Sequence, residues 1–328
     1  MAAHAALSRA AQRRMERLLR VATCLAESGY GAQVARLAAC ARALRADAQL
    51  WAAHARHRCP QGHTPLMQAA RVGSVDRVLF LLECGANVEA TGSADGETAL
   101  MAACAKGRYE AVRALVERGG ANVNAASSCR RGYTALMYTT FGDECEDAKY
   151  LRIARYLVER GAANVNASIA SDFTGETALM MASCAGKLEM VRLLVQHGAS
   201  VNAACVDSVM TAVMFASQEG HLEVVRFLIE HGVNVNVVET VNGGCTSLMW
   251  ASERGYLEVV RCLLGGGATV NAAADSGCTA LMSASKGGHL STVRLLLEHG
   301  ADRFAHSLTG WTAYDLAHSH PEVQAALA

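Results

Sequence analysis

Apolar residues recur at helical spacing in short runs, and the runs come in pairs that repeat along most of the chain. Leu222-Glu223-Val224-Val225-Arg226-Phe227-Leu228-Ile229-Glu230 shows the pattern, with apolar positions three and four apart and charges between them. Each such run is preceded by a second one that opens with threonine: Thr-Pro-Leu-Met at Thr64, Thr-Ala-Leu-Met at Thr98, Thr134, Thr177 and Thr279, Thr-Ala-Val-Met at Thr211, Thr-Ser-Leu-Met at Thr246 and Thr-Ala-Tyr-Asp at Thr312. Successive threonines lie 34, 36, 43, 34, 35, 33 and 33 residues apart. A period of this size means stacked supersecondary units, none of which can bury its apolar face alone.

Punctuation between the runs fixes the unit. A glycine follows each of the first seven threonines by eight or nine residues, at Gly73, Gly107, Gly142, Gly186, Gly220, Gly255 and Gly288. The second run stops at another glycine, such as Gly232, which takes a left-handed cap at little cost. Val233-Asn234-Val235-Asn236 follows and is too short and polar for a third helix. The predicted unit is helix, tight turn, antiparallel helix and an extended finger leading to the next threonine.

Thr64-Pro65-Leu66, the Gly-His-Leu-Glu-Val-Val-Arg run from Gly220, His-Gly-Ala-Ser-Val-Asn from His197 and His-Gly-Ala-Asp from His299 resemble the ankyrin repeat family. The resemblance spans about residues 61–328 in eight copies and implies an all-α solenoid built for binding. One departure is systematic. Where the family usually places a histidine that bonds between repeats, three residues after the threonine, this chain has Met67, Met101, Met137, Met180, Met214, Met249 and Met282. A thioether donates nothing, so adaptable packing is expected to replace those bonds.

Residues 1–60 carry no copy of the unit. Three helical stretches are expected there, Met15 to Glu27, Ala32 to Leu44 and one from Asp47, as a cap over the first repeat. Leu18 to Leu25, Val34 to Leu44 and Asp47-Ala48-Gln49-Leu50-Trp51 also resemble the F-box family, which implies docking to a ubiquitin-ligase core; the usual opening Leu-Pro is replaced by Arg17. The Arg-rich stretch from Ala2 to Arg20 is similar to an organelle transit peptide, against which Glu16 and the helical continuation stand. His54, His57, Cys59 and His63 could supply metal ligands, but their spacing matches no familiar zinc module, and an exposed connection is the expectation.

Composition narrows the function. The formal charge is zero, with an excess of seven positive charges on residues 1–60 balanced by the repeats. That excess sits on one terminal segment without interleaved aromatics, which is not a nucleic-acid signature. No 18-residue uncharged apolar run is present, so no membrane span is expected. The 12 cysteines form no Cys-x-x-Cys pair and read as reduced thiols, which fits a cytoplasmic or nuclear protein. No Gly-x-Ser-x-Gly elbow, phosphate loop or His-Glu-x-x-His occurs, so neither catalysis nor a cofactor is expected.

The candidate chemistry is recognition of a protein partner by a monomer. Four residues after the threonine, on the expected concave side, stand Tyr138, Met181, Phe215 and Trp250, in a chain with 5% aromatics. Aligned by stacking, they form either a docking stripe or a half-buried seam between repeats. Beside them, seven and eight residues after the threonine, Gln218, Glu219, Glu253 and Arg254 make a polar rim, which Phe141 joins. The third repeat carries six extra residues between its helices, with Asp143, Glu144, Glu146 and Asp147, read as a lengthened turn.

Overall fold

A computed structural model describes residues 63–92, 96–128, 132–142, 147–169, 175–241 and 243–328. The three expected N-terminal helices, the F-box-like and transit-peptide-like stretches, the boundary at residue 60, and His54, His57 and Cys59 lie outside these residues. All regular structure among the described residues is helical, apart from isolated bridges at the base of the fingers, such as Ser168 with Thr177, Ala204 with Thr211 and Ala273 with Thr279. The chain divides into two compact units at Cys129/Arg130. Among the described residues the first holds the pairs Pro65–Val72 with Val75–Glu83 and Ala99–Ala105 with Tyr109–Glu117.

The second unit contains six more pairs. They are Ala135–Tyr138 with Asp147–Glu159, Ala178–Cys184 with Leu188–Gln196, Ala212–Glu219 with Leu222–Glu230, Ser247–Arg254 with Leu257–Gly265, Ala280–Lys286 with Leu290–Glu298 and Ala313–Leu316 with Pro321–Leu327. Within it, first helices pack against first helices and second against second along the row. Leu179, Met180, Val213, Met214, Leu248 and Met249 supply its core from the first helices, and Val191, Leu194, Val225 and Leu228 from the second.

Threonine begins each unit because its hydroxyl caps a helix. Its Oγ1 accepts the backbone N–H three residues on in seven of the eight copies, at 3.2–3.5 Å. Thr211 is the exception; its buried hydroxyl meets no partner among the described residues. The methionines are buried, as packing requires, but they do more than pack. Met67, Met101 and Met137 each accept the threonine's own backbone N–H on Sδ at 3.3–3.5 Å, closing a capping box with a thioether. In the last repeat Asp315 closes the same box with a carboxylate at 2.8 Å.

Two kinds of side chain hydrogen-bond from one repeat to the next. The first follows the turn glycine. Arg108 Nε donates to the Arg71 carbonyl at 3.1 Å, His221 Nε2 to Cys184 at 2.9 Å and His289 Nε2 to Glu253 at 2.9 Å. Each fills a carbonyl that the end of a helix leaves unpaired. The glycine of the turn lets this strut approach: a Cβ on Gly186 would lie 2.5 Å from His221, and its φ of +69° is left-handed besides.

The second is the last asparagine of the finger motif. Asn202 Nδ2 donates to the Gly232 carbonyl at 3.2 Å, while its Oδ1 accepts Asn234 N–H at 2.7 Å. Asn166, Asn236 and Asn271 repeat the clamp on Gly198 and Ser200, Gly267 and Thr269, and Gly300 and Asp302. Glu89 makes the acceptor half in the first unit, taking Asn122 N–H at 2.7 Å. In the last repeat Phe304 holds this position and is 75% exposed.

The third repeat corrects one expectation. Its extra residues do not all lengthen the turn. Asp147 to Tyr150 are helical, so its second helix has 13 residues where the following repeats have nine. Asp147 sits in the first turn, where the helix dipole favours an acid. Tyr150 is buried, which anchors the extension. The preceding helix is correspondingly short: Thr139 and Thr140 turn their hydroxyls back to the Leu136 and Met137 carbonyls at 2.6 and 2.8 Å. Such bonds compete with the helical ladder, which tightens into a 3-10 turn over Thr139–Phe141.

Candidate partner-binding surface

A cleft lies between the third and fifth repeats, and the 3-10 turn Thr139–Phe141 forms part of its edge. Phe141 stands 54% exposed at the end of the 3-10 turn. Tyr138 lies underneath at 8% exposure, and the two rings meet edge to face 6.1 Å apart. Tyr133 completes the cluster at 5.3 Å from Phe141 and 5.8 Å from Tyr138. Edge-to-face packing of this kind holds an aromatic in place without burying it. Phe141, Met181 and Phe215 line one cleft of about 590 Å³, with Cys184, Glu176 and Lys187 in its walls.

Lys187 is the strut of this repeat and lines the cleft. Its side chain is 6% exposed, and Nζ lies 2.8 Å from Asp147 Oδ1. It also donates to the Gly142 carbonyl. The Tyr150 ring lies 5.7 Å away, with its face toward the charge. One buried cation thus ties Gly142 and Asp147 to the fourth repeat. Where His221 and His289 reach an ordinary turn, Lys187 reaches a displaced one and needs the longer side chain.

Cys184 has its thiol pKa raised first by burial, then by the carboxylates of Glu219 and Glu176. All seven cysteines among the described residues are free thiols. Burial is the leading cause of a raised pKa at six of them, Cys84, Cys104, Cys184, Cys205, Cys245 and Cys262, which makes them poor nucleophiles. Among the described residues no group of three or more His, Cys, Asp or Glu could hold a metal.

The predicted stripe therefore divides. Tyr138 supports the cleft from below, and Met181 and Phe215 line it. Trp250 stands outside it, half-buried, with an indole N–H that is buried and finds no partner among the described residues. Glu219, Glu253 and Arg254 are exposed and Gln218 is half-buried. Lys187, Cys184, Glu176 and Tyr133 escape the sequence pattern. A lysine standing where neighbours have His221, Tyr256 and His289 was the one available signal for the first of them. The fingers add exposed Val206 and Val241, and neighbouring fingers are joined by Thr240 N–H to the Ser208 carbonyl at 3.0 Å and Asp275 N–H to Gly243 at 2.8 Å.

Threonine-capped helix pairs, glycine turns and fingers joined from repeat to repeat define a helical repeat protein that presents one face of side chains. A family model for ankyrin repeats in three copies matches residues 5–127, 91–168, 127–205, 203–274 and 248–328. The chain belongs to the ankyrin repeat family, and its fold is an all-α repeat solenoid. Ankyrin repeats generally mediate protein–protein interaction and are generally not enzymes. No helix among the described residues is long and apolar enough to cross a membrane.

Proposed function

We propose that this protein is a non-enzymatic adaptor that grips a protein partner on its first-helix face and fingers, with the cleft between Phe141, Met181 and Phe215 as the centre of the contact. The observation that carries the reading is Phe141. An aromatic ring that is more than half exposed, yet braced by Tyr133 and Tyr138, keeps a large apolar area in water at little conformational cost. Rigid aromatic anchors beside a pocket are what hot spots at interfaces are made of. Glu219, Glu253 and Arg254 supply a polar rim, and Gln218 lies between rim and floor. Trp250 extends the apolar surface toward the sixth repeat.

The test is site-specific photo-crosslinking in cells. A crosslinking amino acid at Glu219 should trap a discrete partner that the same group at Arg226, on the second helix, does not. Phe141→Ala with Phe215→Ala should remove that product while the melting temperature stays within a few degrees. Equal trapping at both positions would refute the assignment of the face.

A further inference from the structure

We infer that Val209 is a positioning residue for the partner: it holds the fingers that lead to Thr211 and Thr246 as a second apolar anchor, built on Val206 and Val241, for an aliphatic or aromatic side chain of the protein that enters the cleft. This rests on the proposed binding face and extends it. Seven of the eight repeats have glycine two residues before the threonine, at Gly62, Gly96, Gly132, Gly175, Gly244, Gly277 and Gly310. Those among the described residues have φ between +61° and +82°, in the left-handed region. The fifth repeat has Val209 instead, at φ +54°. For a β-branched side chain this conformation is an outlier that costs stability and persists only where the surrounding structure enforces it. The position is also one where the next finger arrives. A Cβ on Gly175 would lie 2.7 Å from Val206 Cγ2, one on Gly244 2.7 Å from Asp275 Oδ1, and one on Gly277 3.0 Å from the Leu308 nitrogen. Val209 puts a branched side chain at this position.

What the strained finger carries is exposed and apolar. Val206 is 77% and Val241 62% exposed. Thr240 joins their two fingers, its N–H donating to the Ser208 carbonyl at 3.0 Å and its hydroxyl to the Asp207 carbonyl at 2.8 Å. The sixth repeat's finger is also braced from within. Glu239 is buried, and its carboxylate accepts the Val241 N–H at 3.3 Å and the Cys245 N–H at 3.4 Å. Apolar side chains held rigid in water lose little freedom when a partner covers them. These tips are continuous with the cleft. Gly175, against which Val206 lies, precedes Glu176 of the cleft wall, and Val209 stands six residues before Phe215, which lines the cleft from the same repeat. An apolar side chain suits Val206 and Val241 because it needs no polar partner when buried, whereas an amide or a charge set on them would lose its water uncompensated.

Photo-crosslinking followed by affinity measurement on the full chain tests this. A crosslinking amino acid at Asp207, exposed on the fifth repeat's finger, should trap the same protein that Glu219 traps, identified by mass spectrometry. Against that protein, purified, Val206→Ser with Val241→Ser should weaken binding about 5- to 50-fold. Val209→Gly should weaken it about 3- to 10-fold while the chain melts no lower than the parent, because glycine relieves the strain and loosens the anchor. Val209→Ile should bind as the parent does. A residue that only packed would lower melting temperature and affinity together. Trapping at Glu219 with none at Asp207, or of a different protein there, would overturn the second anchor and leave the cleft standing. Unchanged affinity in Val209→Gly, or a lower melting temperature that accounts for its loss, would overturn the role of Val209. Equal trapping at Glu219 and Arg226 would overturn the binding face as well.

Discussion

The asparagine clamps allow the sharpest calculation. Asn202→Ala deletes two hydrogen bonds that join the fourth repeat to the fifth, one of 3.2 Å to the Gly232 carbonyl and one of 2.7 Å from Asn234 N–H. A hydrogen bond contributes about 0.5–1.5 kcal/mol net, because unfolding exchanges it for water. Both partners here are exposed, so water replaces the lost amide and no desolvation penalty is added. The expected loss is about 1–2 kcal/mol. Asn202→Asp separates the halves: the carboxylate still accepts from Asn234 but has no donor for Gly232 and repels its carbonyl, so it should cost at least half as much.

Urea unfolding followed by circular dichroism measures the loss, and amide exchange at Asn234 shows where it acts. The same change at Asn166, Asn236 and Asn271 should cost a similar amount, since each makes the same pair of bonds. Sites this far apart add to within about 0.5 kcal/mol, so the quadruple variant should lose about 4–8 kcal/mol. That is comparable with the whole stability of an ordinary domain, about 5–15 kcal/mol. In a stack held by nearest-neighbour terms, such a loss should also split one transition into several. A cost below about 0.3 kcal/mol at every site, or a cost with no faster exchange at Asn234, would refute the clamp.

Three further outcomes are expected. Ser217, Ser252 and Ser285 are buried, and their hydroxyls have no partner among the described residues; each change to alanine should gain up to about 1 kcal/mol, and a loss of more than that would show that the hydroxyl is bonded. Lys187→Met should cost about 1–2 kcal/mol, less than a fully buried pair because Asp147 can take water, and should speed amide exchange at the start of the Asp147–Glu159 helix. Alkali should destabilise the fold. Burial raises the thiol pKa at Cys104 and, to about 11, at Cys245, so above about pH 9 the unfolded chain binds fewer protons than the folded one and stability falls as pH rises; Cys104→Ala should flatten the decline, and an unchanged slope would show that other groups cause it.

The framework was legible because it is written eight times. One Thr64-Pro65-Leu66 would mean little, but the same cap at Thr98, Thr177 and Thr279 averages out local ambiguity. What repetition hides is the part that repetition does not need. The asparagine clamps were visible as Val-Asn and passed for the start of a finger, because their partners lie about 30 residues on. The methionine capping box was invisible for a different reason: sulfur is a weak acceptor, and pattern alone assigns it to packing.

The cleft lies where the repetition fails, and the failures are linked. Thr139 and Thr140 replace the small residues usual at these positions and end the first helix early. That displaces the turn, with Gly142 at φ −63° instead of the left-handed value of the other turn glycines. Lys187, longer than the histidines that follow the turn glycine in the fifth and seventh repeats, bonds to the Gly142 carbonyl of this turn. Phe141, at the end of the 3-10 turn, is left more than half exposed. Swapping residues 139–147 for the matching turn of the fifth repeat, with Lys187→His, should restore a regular third repeat. Such a chain should melt no lower than the parent and lose the product trapped by the crosslinking amino acid at Glu219; retained trapping would mean that recognition lies in the regular repeats and not in this departure from them.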